Sequence, residues 1–168
     1  LTVASNATLR LAANAQSSLA FGTSLTVNGT STFEAGATFT FETAFSTSIV
    51  TQIIVNGSLV AQGATLVPNN SGPTRIVVNS GGRLTATDSV FQITEVSWDF
   101  GALVGTTDLQ RNRFDSELLI PGDVVRLLSQ QGGGSDNRRF GRVKIRGGNF
   151  TSGILTLASI GTETTQSL

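Results

Sequence analysis

The chain contains no cysteine, histidine, methionine or tyrosine, and Lys144 is its only lysine. Without cysteine there is neither a disulfide framework nor a thiolate metal site. Without histidine the usual proton carrier of neutral-pH acid–base chemistry is missing. No apolar run approaches the ~20 residues that a membrane-spanning helix needs. Eleven cationic side chains balance eleven carboxylates, so no global field draws the chain to nucleic acid. Charge is scarce at one end, where residues 1–74 hold only Arg10, Glu34 and Glu42.

What is present is a motif that returns. LTVASNATLRL at 1–11, LTVNGTSTFEA at 25–35 and IVVNSGGRLTA at 76–86 share Leu/Ile-x-Val, a five-residue turn and Leu/Phe-x-Ala/Leu. IIVNGSLVA at 53–61 is a fourth copy with a shorter turn. The anchors Val3, Val27, Val55 and Val78 are spaced by 27 − 3 = 24, 55 − 27 = 28 and 78 − 55 = 23 residues. A period of this size marks stacked copies of one supersecondary unit.

Alternation predicts two short strands around each turn, with Leu25 and Val27 facing in and Thr26 facing out. Asn28-Gly29 reads as a turn that tolerates positive φ. A third apolar segment closes most units: Leu19 and Phe21, Phe39 and Phe41, Leu66, then Phe91 and Ile93. Three strands per 23–28 residues amount to one coil of an all-β parallel β-helix (β-solenoid), with about six to seven coils over the chain; the resemblance drawn below implies the right-handed form. Coils of that fold rise about 4.8 Å apart. A β-sandwich is the alternative, because it too has many short strands at regular spacing.

The whole chain, 1–168, reads as one solenoid domain. Coils are regular over 1–105, and 106–168 is charged and less regular. Ile120 and Ile145 lie one coil apart. DVVRLLSQQ at 123–131 reads as a strand, with a short helix as the alternative, and GGGSDNRR at 132–139 as an exposed loop. The start inside a motif, and the likeness of LTLAS at 155–159 to LTVAS at 1–5, suggest a processed unit or a piece of a longer protein.

The pattern Leu-x-Val-Asn-Gly-x-Leu-x-Ala resembles repeats of right-handed parallel β-helix regions in secreted adhesins and autotransporter passengers. The resemblance covers about 1–105 well and the remainder weakly. It implies secretion, an extracellular or cell-surface location, an elongated shape and a structural or adhesive role. It transfers no site residue.

Candidate chemistry is sparse. Asp115 and Glu117 share a face if 114–120 is a strand, with Arg111 and Arg113 nearby. Two carboxylates at a suitable separation can hydrolyse a glycosidic bond, so a polysaccharide lyase or hydrolase is one alternative function. GGGSDN at 132–137 is at most one fragment of a calcium-binding nonapeptide, and no catalytic, cofactor or metal site is assigned. Arg138, Arg139, Arg142, Lys144 and Arg146 form a basic stripe that could hold an acidic glycan, with Trp98 as a stacking platform. That combination makes a carbohydrate-binding module the other alternative. The bland readings are a solvated strand face paired with Asp115, Glu117 or Asp123, and a tryptophan in the core or at a coil corner, sharing the parity of Val96 and Phe100. Thr-x-Thr pairs fall at different phases, which argues against an ice-binding array. Asn6, Asn28, Asn56, Asn69 and Asn149 head N-glycosylation sequons that matter only in a eukaryotic secretory host. The leading expectation is a non-catalytic module of a secreted surface protein or filament, self-associating through coil ends, with polysaccharide as a further partner.

Overall fold

In the computed structural model, residues 1–45, 48–98, 108–110, 112–121 and 139–146 are described, with backbone alone for Trp98, 108–110, 113–121 and 139–146. The chain is an all-β parallel β-solenoid. Coil 1 comprises β1 (Thr2–Val3), β2 (Thr8–Leu11) and β3 (Gln16–Leu19). Coil 2 comprises β4 (Ser24–Val27), β5 (Thr30–Phe33) and β6 (Thr38–Phe41). Coil 3 has β7 (Thr51–Val55), β8 (Ser58–Gln62) and β9 (Thr65–Pro68). Coil 4 has β10 (Thr74–Val78), β11 (Arg83–Thr87) and β12 (Val90–Phe91). Among the described residues four coils are complete, against the six to seven expected over the whole chain. β13 (Glu95–Trp98), β14 (Asp108–Gln110), β15 (Arg113–Pro121) and β16 (Arg139–Arg146) extend the same stack.

Strands stack in three columns, so each coil has three sides. β1, β4, β7, β10 and β13 form the first, β2, β5, β8, β11 and β14 the second, and β3, β6, β9 and β12 the third. Every pairing is parallel, as successive turns of one winding chain require. The four anchor valines are direct register partners, and Trp98 takes the next position in their column. Ile120 and Ile145 are likewise paired, one coil apart.

Inward positions fill one continuous core. Leu25, Ile53, Ile76 and Val96 stack in the first column and are fully buried. Phe33 stacks on Phe39 at a centroid separation of 4.9 Å, and Phe39 meets Phe41 edge-on at 5.3 Å. Each such side chain contributes roughly 1.5–3 kcal/mol by leaving water.

Two details differ from the sequence reading. β3 ends at Leu19, and Phe21 lies in the following turn, where Thr23 N–H donates to Ala20 O and Gly22 has φ +69°. That turn swings Phe21 outward instead of continuing the inward alternation. The Asn-Gly turns also use no positive φ at Asn28, Gly29, Asn56 or Gly57. Their glycines answer a different demand, which is close stacking. A Cβ on Gly29 would collide with the carbonyls of Ala4 and Ala7, and one on Gly57 with those of Asn28 and Gly29.

From β15 onward the corner between the third and first columns changes. The start of β15 pairs with β12 and its end pairs with β13, so the two columns merge into one 11-stranded sheet. The register shifts between Phe114 and Glu117, where earlier coils have a loop.

Candidate functional site

The first-column corner shows how each coil is fastened to the one before. Asn56 N–H and Gly57 N–H both donate to Val27 O at 2.8 Å, and Asn28 N–H and Gly29 N–H both reach Val3 O. The asparagine side chains then form a ladder of their own. Asn56 Nδ2 donates to Asn28 Oδ1 at 2.8 Å, and Asn79 Nδ2 donates to Asn56 Oδ1 at 2.6 Å. Asn28 and Asn56 therefore have a structural task, whether or not they carry glycans. Asn69, at another corner, accepts from Thr43 N–H at 2.8 Å and from Thr43 Oγ1 at 3.2 Å. Asn6 is exposed in the first turn, and Asn149 lies outside the described residues.

Buried polar ladders stand at the other corners, and sequence reading missed them. Ser89 Oγ accepts from Ala64 N–H, and Asn112 Oδ1 accepts from Ser89 N–H at 2.9 Å. Asn112 Nδ2 donates to Ala86 O at 2.7 Å. Thr74 and Thr94 exchange bonds between hydroxyl and backbone N–H at 3.1 and 3.0 Å. Thr51 Oγ1 accepts from Gly22 N–H and donates to Glu42 O. These side chains satisfy corner backbone groups that burial would otherwise leave unpaired.

The three charges of residues 1–74 are used in the same way. Arg10 Nε pairs with Glu34 Oε1, and Glu34 Oε2 accepts from Ala13 N–H. Ser18 Oγ donates to Glu42 Oε1 at 2.7 Å. The hydrogen bond from Arg10 holds the Glu34 carboxyl below the usual carboxylate range, and the same contact raises the Arg10 guanidinium. Arg75 Nε lies 2.8 Å from Glu95 Oε1 but makes no aligned hydrogen bond, so this contact is Coulombic.

The residues of the basic stripe that are described lie in β16, which pairs with β15. Arg139 pairs in register with Arg113, Arg142 with Glu117, Lys144 with Leu119 and Arg146 with Pro121. Glu117 in turn is the register partner of Glu95, and Glu95 of Arg75. One line of register positions therefore reads Arg75, Glu95, Glu117, Arg142. Arg138 lies outside the described residues, as do 123–131, most of the loop at 132–139 and the 155–159 segment. Asp115 sits in β15 at the register shift. Among the described residues no group of three His, Cys, Asp or Glu is placed to hold a metal ion.

The described surface also carries an apolar corner at the coil 1 end. Its exposed large apolar residues are Leu1, Phe21, Phe45 and Ile49, and all four fall at or beside the corner between the third and first columns. Ile49 Cγ2 lies only 2.8 Å from where a Cβ on Gly22 would stand. The Leu1 ammonium donates to Ser24 O at 3.0 Å, which holds that residue beside the same corner. No family model, curated protein or solved structure matches this chain.

Proposed function

We propose that this chain is a structural or adhesive module of a secreted surface protein or extracellular filament, working by mechanical continuity rather than by catalysis. One observation carries the reading. The corner and surface polar groups described above, which in an enzyme or lectin would face a ligand, are spent on bonds between successive coils: Asn28–Asn56–Asn79, Ser89–Asn112, Thr74–Thr94, Arg10–Glu34 and Ser18–Glu42. A stack fastened at every corner resists separation of its coils and can grow by adding rungs, because each coil is stabilised by its neighbours. The register pairs of opposite charge, Arg75 with Glu95 and Glu117 with Arg142, favour neutralised charge over an anion site.

Electron microscopy of the native material tests the proposal. Elongated stalks or filaments about one coil wide are expected. Isolated globular particles that degrade or bind a polysaccharide would overturn it.

A further inference from the structure

Asn28-Gly29 and Asn56-Gly57 are the same dipeptide at the same corner of successive coils, and the stack holds them differently. We propose that Asn28 is a site of self-modification in the folded protein, where the Gly29 nitrogen displaces the side-chain amide and leaves a carboxylate, while Asn56 is held unreactive. This is independent of the mechanical reading above.

The chemistry needs no enzyme. The backbone nitrogen that follows an asparagine can reach the side-chain carbonyl carbon, and glycine hinders the approach least because it has no Cβ. Gly29 N gives its proton to hydroxide and bonds to Asn28 Cγ. The Cγ–Nδ2 bond breaks, and the amide takes a proton from water and leaves as ammonia. Water then opens the cyclic imide to a carboxylate, in the normal or the isoaspartyl linkage. Negative charge passes through Oδ1 on the way.

Three contacts govern the reaction at each site. The first is on the attacking nitrogen. Gly57 N–H donates to Val27 O at 2.8 Å, whereas Gly29 N–H reaches Val3 O only at 3.3 Å. The shorter bond makes the proton harder to remove and the nitrogen harder to turn. The second is on the leaving group. Asn56 Nδ2 is fastened to Asn28 Oδ1 at 2.8 Å. Asn28 has no matching rung in coil 1, because the residue that follows Val3, as Asn28 follows Val27, is Ala4, and its methyl accepts nothing. The third is on the oxygen that gains charge. Asn28 Oδ1 accepts from Asn56 Nδ2, a donor placed where the oxyanion forms. Asn56 Oδ1 has its own donor in Asn79 Nδ2 at 2.6 Å, so the third contact assists both sites and the first two separate them.

The ladder also tolerates the product at one position only. A carboxylate at 28 still accepts from Asn56 Nδ2, now with charge assistance. A carboxylate at 56 has no proton to give, and would set its oxygen against Asn28 Oδ1. Exposure alone ranks the sites in the reverse order, since Asn56 is exposed and Asn28 half-buried. The order of rates therefore distinguishes control by the stack from control by exposure.

Ageing the 168-residue chain in mildly alkaline buffer, followed by digestion with a glutamate-specific protease and mass spectrometry, tests the proposal. Cuts after Glu34 and Glu42 put the two asparagines on different peptides, and fragmentation locates each new carboxylate. In the folded chain Asn28 should convert at least tenfold faster than Asn56. In strong denaturant the two rates should meet, because both sites are then plain Asn-Gly. Asn28→Ala removes the acceptor of the Asn56 amide and should speed conversion of Asn56 severalfold, with the thermal midpoint showing that the coils stay stacked. An unchanged Asn56 rate in that variant would contradict the tether. Equal rates in the folded chain, a faster Asn56, or conversion only in denaturant would overturn the proposal. An excess at Asn28 that persists in denaturant would assign the difference to flanking residues and overturn it as well.

Discussion

Coil 1 and coil 3 carry the same rung and differ in what lies beside it. Leu9 and Leu59 occupy one column of the second face, in register through Ser31. Leu59 is fully buried between two neighbours, while Leu9, with one neighbour, is only partly buried. The first-column backbone repeats the contrast, since β7 bonds to β4 and β10 while, among the described strands, β1 bonds to β4 alone. A rung of this chain is therefore not stable by its own composition. Its apolar residues become core only when a second coil closes over them.

The largest expected break in the comparison comes from truncating that column. Leu59→Ala should cost about 2–5 kcal/mol of unfolding free energy, and Leu9→Ala about 1 kcal/mol, both read from chemical denaturation. Equal losses would mean that the two coils are equally covered. Next is Gly57→Ala, whose added methyl meets the carbonyls of Asn28 and Gly29. It should cost about 1–3 kcal/mol through overpacking of the stacked turns. Gly81→Ala meets no atom within 4 Å and carries only the strain of φ +82°, so it should cost less, about 1 kcal/mol. The thermal midpoints of these two variants separate close approach from backbone conformation as the reason for glycine.

The asparagine ladder sharpens the comparison further. Asn56 bonds to both Asn28 and Asn79, so Asn56→Ala should destabilise by about 1 kcal/mol. Asn79→Ala breaks only the bond to Asn56 among these and should cost less, as differential scanning calorimetry would show.

The smallest effect belongs to the exposed pair that ties coil 1 to coil 2. The Glu34 carboxyl is held below its unfolded value, so its contribution is present above about pH 5 and is lost as pH falls through the folded value. Wild type and Glu34→Gln should therefore differ slightly at neutral pH and converge in acid, when stability is measured across pH. A difference that grows in acid would contradict the pairing.

Much of the rung was legible in the sequence because strand alternation has a period of two and the stack has a period near 25. Val3, Val27, Val55 and Val78 announce both, and the structure makes them register partners. Corner chemistry was not legible, because it depends on distances between coils rather than along the chain. Asn112 and Ser89 look like ordinary turn residues, yet they are buried and bonded across coils. Asn-Gly suggested a left-handed turn, whereas the stacked carbonyls set the need for glycine. Phe21 kept the inward parity on paper, but β3 stops two residues earlier. The charged stripe was visible as alternation, with Asp115, Glu117 and Asp123 as candidate partners, and the register sets Glu117 opposite Arg142.

Hydrogen exchange resolved by residue, at a concentration where the chain is monomeric, tests the dependence of each coil on its neighbours most directly. Amides of Thr8, Arg10, Gln16 and Ser18, which face the open end, should exchange rapidly, while Leu9 and the amides of β7 and β8 on both parities stay protected. Equal protection of both parities in β2 and β3 of the monomer would contradict the account.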